Sequence, residues 1–555
     1  MQLKTILLAG AAALALGACG GKDGGNNTDA PATKSSAKAA SVNSASPIDT
    51  KFKFSGGKEL DFAGLVASMP EGERPTYDSA TFDQSIGATI VTNLQYTDPG
   101  DGEGVIIERV ELYGLDPEAV DRVKGGEVSV DAPMETIFEK VRLFGVKPDG
   151  GEENANVSIG AVEFDKLRLR PGFDEEKNDE NPAYFFNAFE LAGLYVKDIN
   201  VEATEAEGPQ LSFKMPDMRI VGVGGGKLSA LIMNDLTYEL ANSEETIQAM
   251  TGLMGEQGAL IMNSPLRNFI APGSQKASMK SFVWRGLDFS GLMEYGLKEE
   301  EPPVTAKNLL SLGSLEVNDV ESYVNGKLAY KSDKTTLSAE ESTWLIPSKI
   351  RAESVGDVYN FQAYVPEGEE ELMKLVKDNG LDSVKSSSSL AWDWDSKKGA
   401  AALKTNMDTS GFADFAMSFS LDGLEIEKIK TAMDAGDEKA IESLALFKGF
   451  NLTLKDEKLL DTIFAVAGMQ MGQSGADLRA SAPAMLRLSG VQVAQMNPRF
   501  SDYVDAMATF LSDGGTLEIN AQPKSPVPLA AIAQAGEASP QTLPDVIDLN
   551  ITHKK

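Results

Sequence analysis

One cysteine and one histidine in 555 residues remove most of the familiar catalytic chemistries. A Ser-His-Asp triad, a Cys-His dyad and a multi-histidine zinc or iron site each need an internal histidine. The sole one, His553, stands near the end of the sequence, where side chains are normally solvated. With no second thiol the chain makes no internal disulfide, so its stability must come from core burial. Catalytic residues, metal ligands and cofactor sites are therefore expected to be none.

Basic charge is also scarce. Lysine and arginine total 51 against 83 acidic residues, a formal net charge of −32. Such a surface repels phosphate backbones, which argues against a nucleic-acid partner. It leaves cations and basic protein patches as electrostatic partners. Apolar content of 42% is ordinary and supplies a sizeable core. Past the first residues, no segment has the roughly 20 consecutive apolar positions of a membrane-spanning helix.

The N-terminal residues carry the sharpest signal. Met1-Gln2-Leu3-Lys4-Thr5 precedes an apolar run from Ile6 to Leu16, then Gly17-Ala18-Cys19. A basic start, a short apolar core and small residues compose a secretory signal peptide. Leu16-Gly17-Ala18-Cys19 resembles the lipobox of bacterial lipoproteins. That resemblance implies cleavage before Cys19, lipidation of its sulfur and acylation of the new amino terminus with palmitate-like chains. Residues 1–18 are then the signal peptide. Residues 19–47, rich in Gly, Asn, Ser, Ala and Lys, read as a flexible tether. Enterobacterial lipoproteins with aspartate after the cysteine stay in the inner membrane. Gly20 here implies the outer membrane, with the body facing the periplasm.

Residues 48–366 read as a β-rich body and residues 367–530 as a more helical α+β domain, followed by a tail over 531–555. The expected class is α+β, β-rich, with a long antiparallel sheet and short helices. Ala88-Val91 and Gly104-Val110 flank a hairpin turn. Helices are expected at Pro117–Val123 and Pro133–Val141, each opened by proline, and near Asn242, whose helix carries Met250 and Met254. Later helices are expected at 369–378, 425–435, 438–447, 456–471 and 498–511, with a late strand at Thr516–Asn520. Leu390–Asp395 and Ala400–Thr405 read as a hairpin.

A small unit recurs: apolar-x-apolar-x-Gly-aliphatic. It occurs at Val110–Leu115, Val141–Val146, Phe189–Leu194, Phe282–Leu287, Phe419–Leu424 and Leu486–Val491. Alternation places its first and third residues on one sheet face, and the glycine suits a bulge or strand exit.

Three stretches resemble chemistry and have plainer readings. Gly222-Val-Gly-Gly-Gly-Lys227 lacks both the first glycine and the Ser/Thr of a phosphate loop, so it reads as a glycine hairpin. Asp393 and Asp395 share a strand face opposite Leu390, Trp392 and Trp394, as alternation between core and water requires. Asp174–Asn181 reads as a solvated acidic loop.

The combined reading is a membrane-anchored, non-enzymatic lipoprotein of the cell envelope that binds an apolar, lipid-like ligand or an envelope partner. A scaffold or assembly factor without a ligand cavity is the alternative, and a carboxylate hydrolase ranks third. Repeated strand units in a tethered envelope body are vaguely similar to periplasmic lipid-handling proteins of the AsmA-like kind. That similarity implies an apolar ligand lying along a long sheet.

Overall fold

The computed structural model describes residues 51–98, 104–125, 129–149, 155–171, 182–204, 210–242, 272–436 and 443–555. Cys19, the tether, the acidic loop at 174–181 and the methionine-bearing helix after Asn242 lie outside these residues. The chain is β-rich, with long antiparallel sheets and short helices. Its described residues divide into two compact units: one comprises 51–242, 278–303 and 309–315, the other 272–277, 304–308 and 316–555. Residue 366, where the sequence suggests a boundary, falls inside the second unit.

The first unit is an antiparallel meander. Its strands are β1 (Ser79–Asp83), β2 (Ala88–Thr97), β3 (Gly104–Tyr113), β4 (Glu135–Asp149), β5 (Ala155–Leu169), β6 (Phe189–Thr204), β7 (Gln210–Gly224), β8 (Lys227–Ala241) and, from Ser278 on, β9 (Ser274–Asp288). Helix α1 (Phe62–Ala67) and helix α2 (Pro117–Gly125) cover one face near β2–β4, while α3 (Pro182–Ala188) and α4 (Ser290–Gly296) join later strands. Phe62, Val120 and Val123 pack there against Val91, Val110 and Val141. The helix expected at Pro133–Val141 is instead the start of β4. Its Ile137, Phe138, Val141 and Leu143 are all buried, and tertiary burial between β3 and β5 overrides the proline start signal.

A row of irregular positions crosses this sheet. Register pairing skips 93 opposite 108, 108 opposite 145, 145 opposite 160, 160 opposite 198, 198 opposite 216, and 216 opposite 235. Every second strand carries a left-handed residue there: Asn93, Gly145, Asp198 and Asp235. Gly, Asn and Asp are the residues that adopt this conformation most cheaply. Pro216 sits on the same line, where no ladder hydrogen bond requires its missing N–H. Buried residues flank the row at a spacing of three, as in Val110/Ile107, Leu143/Val146 and Val162/Ile159. The irregular residue in each strand thus keeps the apolar side chains on one face, and because neighbouring strands share the irregularity the pairing register is the same on both sides of the row.

The second unit contains β10 (Gly313–Val324) from Glu316 on, β11 (Lys327–Thr343), β12 (Ile346–Tyr359), β13 (Val384–Asp395), β14 (Ala400–Ser410), β15 (Ala413–Asp422), β16 (Leu446–Asp456), β17 (Gly515–Ala521), β18 (Val527–Pro528) and β19 (Leu549–Lys554). Neighbours pair in order to β17, then β19 pairs with β17 and β18 with β16. Its helices are α5 (Glu370–Asp378), α6 (Ile426–Asp434), α7 (Leu459–Met471), α8 (Gly475–Met496), α9 (Arg499–Asp513), α10 (Leu529–Ala538) and α11 (Leu543–Val546). Leu446 and Phe447, expected at the end of a helix, open β16. The C-terminal residues are built into the sheet as β19.

The recurring glycine unit has three outcomes. Gly114 and Gly423 follow the last residues of β3 and β15 in left-handed conformation, and Gly145 and Gly286 are left-handed inside β4 and β9. Gly193 lies within β6 without a positive φ. Leu486–Val491 is helical, inside α8. There Gly490 is selected by packing: a Cβ would stand 2.6 Å from Val504 Cγ2 on α9.

Candidate functional site

The apolar residues of the second unit's sheet fall into register. One row runs Ile350, Trp392, Leu403, Phe419, Phe450, Ala521 and Leu549. The next runs Leu337, Ala352, Leu390, Thr405, Met417, Leu452, Ile519 and Ile551. A third takes Ser388, Met407, Phe415, Leu454 and Leu517. Residues between these rows are polar or small: Arg351, Ala391, Lys404, Ser418, Asn451 and Asn520 form one cross-strand line. Period-two alternation therefore gives the sheet one apolar and one polar face.

Helices cover the apolar face at its margins. Leu372, Met373 and Val376 of α5 pack with Val384 and Phe412. Ile426 and Ile429 of α6 pack with Trp394, Ala401 and Leu421. Leu460 and Phe464 of α7, with Phe510 and Leu511 of α9, pack on Leu454, Leu517, Ile519 and Ile551. The central residues Leu337, Leu390, Leu403, Met407, Phe415 and Met417 fall outside these three clusters. Leu337, Leu390 and Met407 keep 42%, 36% and 44% of their surface exposed, and their neighbours Leu403, Phe415 and Met417 are half-buried. Scattered exposed apolar side chains are ordinary, whereas these three lie on one face of adjoining strands.

The polar face holds the two aspartates singled out by sequence. They line an open cleft of about 890 Å³ with Lys349, Ala402, Ser420 and Lys448. Asp393 accepts from Arg351 Nη2 at 2.5 Å. Asp395 accepts from Lys398 Nζ at 2.9 Å and from the backbone N–H groups of Lys397 and Lys398. The Lys398 contacts hold the Asp395 carboxyl below the usual carboxylate range, the reverse of what a general acid needs. Trp392 and Trp394 lie opposite, donating from Nε1 to the carbonyls of Pro347 and Leu424.

Gly225 and Gly226, both left-handed, form the two-residue turn between β7 and β8, as a glycine hairpin requires. Lys227 Nζ lies 3.0 Å from Asp288 Oδ2. His553 is not a solvated tail residue: it lies in β19, half-buried, with Nε2 2.7 Å from the Gly514 carbonyl oxygen.

A family model described only as an uncharacterized protein matches residues 406–554, from β14 through β19 with α6–α11. No curated protein matches the chain. The central apolar residues were invisible singly in the sequence. Their signal was the run of alternating strands, which predicts a face but not which part of it the helices leave open.

Proposed function

We propose that this chain is a lipid-anchored lipoprotein of the bacterial outer membrane, tethered through Cys19 and facing the periplasm. It holds an apolar, lipid-like ligand on the central apolar face of the second unit. The lipobox carries the address. The partly exposed residues Leu337, Leu390 and Met407, in two neighbouring register rows across β11–β14, carry the binding reading. An acyl chain laid across that face removes apolar surface from water at roughly 25 cal/mol per Å². It also needs no polar partner, in keeping with a face whose few polar members are serines and threonines. The protein performs no chemistry on the ligand in this reading.

The test is lipid extraction and mass spectrometry on the chain from Gly20 to Lys555, produced in a bacterial periplasm. An acidic periplasmic protein of similar size, purified identically, is the control. Stoichiometric lipid above the control is the expected result. A folded, lipid-free protein would sink the ligand reading and direct attention to envelope protein partners.

A further inference from the structure

The apolar face of the second unit's sheet becomes polar toward Val384, where α5 packs. Beyond the row of Leu337, Ala352 and Leu390, the same face carries Thr335, Ser354 and Ser388 as cross-strand partners. Next come Asp357, Ser386 and Thr409 in one line, then the direct partners Tyr330 and Tyr359. Asp357 joins this face through a bulge in β12. Pairing with β13 shifts by one residue between Ser354 and Asp357, and Gly356 is left-handed there at φ +72°. Unbroken alternation would put residues 354 and 357 on opposite faces, and the bulge re-aims the carboxylate to the apolar side.

Asp357 is only 3% exposed. It accepts from Ser354 Oγ at 2.8 Å and from Tyr330 OH at 3.1 Å, both on Oδ1. Among the described residues no cation pairs with it: Lys331 and Lys334, on the opposite face of β11, pair with Asp333 and Glu316. A carboxylate withdrawn from water without a counter-charge is costly, and its second oxygen has capacity for further donors. Burial first, and then the Asp357 charge, raise the Tyr359 phenol above its usual pKa, so that charge is felt at a ring still 39% exposed. The Tyr330 and Tyr359 rings lie 5.1 Å apart. An uncompensated anion beside two tyrosine rings suits an ammonium group, which both attract. We infer that the ligand of this face is an acyl-chain amphiphile with an ammonium head, its chain on Leu337, Leu390 and Met407 and its head at Asp357, Tyr330 and Tyr359. The Thr335 and Ser388 hydroxyls between them meet the oxygens that link chain to head. An anionic head would face the Asp357 carboxylate on a chain of net charge −32, which disfavours it. This assignment rests on the apolar-ligand reading and adds the chemistry of the head.

The test equilibrates the chain from Gly20 to Lys555 with an equimolar mixture of lysophosphatidylethanolamine and lysophosphatidylglycerol. Both carry the same acyl chain and are kept below their micelle thresholds, and bound lipid is counted by native mass spectrometry. The ethanolamine lipid should exceed the glycerol lipid by about tenfold. N-acetylation of its amine removes the ammonium charge while leaving the protein unaltered, and should abolish the excess. Asp357→Asn keeps an oxygen for Ser354 and Tyr330; checked for folding by circular dichroism, it should bind the two lipids equally. Equal binding of both heads by the unaltered protein overturns the head assignment and leaves the apolar-ligand reading standing. An excess that survives N-acetylation, or survives Asp357→Asn in folded protein, overturns the head assignment in the same way. Binding of neither lipid overturns both readings together. If Asp357→Asn does not fold, the N-acetyl comparison on the unaltered protein decides alone.

Discussion

Arg142 donates from Nε to Glu163 Oε2 at 2.6 Å across β4 and β5, with the two side chains only 3% and 5% exposed. Lys140 takes the other carboxylate oxygen at 2.6 Å. The pair lies in one register row running Glu111, Arg142, Glu163, Tyr195 and Arg219 over five strands. The Phe52 ring lies over both Lys140 and Arg142. Burial alone would lower the Arg142 pKa, but the Glu163 hydrogen bond and charge raise it. Glu163→Gln leaves two buried cations without their shared anion. The expected loss is about 3–5 kcal/mol of unfolding free energy, measured by urea denaturation. Glu341→Gln, which removes an exposed partner of Lys349, should change stability by less than about 1 kcal/mol. Equal effects of the two would show that burial of the first pair carries no weight.

Gly145 tests the aligned row of irregular positions. Its φ is +65°, and a Cβ there would meet Glu108 Cδ at 2.5 Å. Gly145→Ala should cost about 1–2 kcal/mol through left-handed strain and that contact. Adding Glu108→Ala should recover the contact part only. The measurement is the thermal midpoint of the single and double variants, and full recovery in the double would rule out backbone strain.

Much of this architecture is legible in the sequence, and its failures have local causes. The β2–β3 and β13–β14 hairpins, the helices at 370–378 and 499–513 and the tryptophan-aspartate alternation follow from periodicity and turn residues. The start of β4 is misread because a proline before Glu135 resembles a helix start, and the neighbours β3 and β5 that bury it are distant in sequence. Helix α8 is hidden because Pro483, Gly490 and a nearly uncharged composition obscure its period. Its apolar residues face outward, so no core stripe announces it. The apolar face of β11–β16 follows from alternation, but its uncovered centre depends on where α5, α6 and α7–α9 land, which no local pattern encodes.

Alkaline pH should destabilise the first unit. Tyr113 is buried and donates to Glu111 Oε2 at 2.7 Å. Burial first, then that hydrogen bond and charge, push its pKa well above the usual value of 10.0. Burial, with Asp165 and Glu163 nearby, raises Tyr195 in the same direction. The native state keeps these phenols protonated while the unfolded chain ionises them near pH 10. Above that pH the native state binds more protons, so stability falls as pH rises; below it these groups contribute no pH dependence. Absorbance titration at 295 nm should show a fraction of the 12 tyrosines ionising only as circular dichroism reports unfolding. In Tyr113→Phe that delayed fraction should shrink. Simultaneous, early ionisation of all tyrosines in folded protein would contradict the buried row.

The apolar face of the second unit makes a prediction that separates binding from folding. Leu390 and Met407 lie on adjacent strands in neighbouring register rows and are partly exposed, so neither supports much of the core. Leu390→Asp with Met407→Asp should lower stability by no more than about 1 kcal/mol. An acyl chain on the altered face would have to desolvate carboxylates at a cost of a few kcal/mol, so bound lipid should fall by about tenfold or more. Ser389→Asp with Asn406→Asp adds the same charge to the same two strands on the polar face, where Ser389 and Asn406 are direct partners. That control should retain its lipid. If both double variants lose lipid equally, net charge and not the apolar face governs retention. If neither loses it, the ligand sits elsewhere on the molecule.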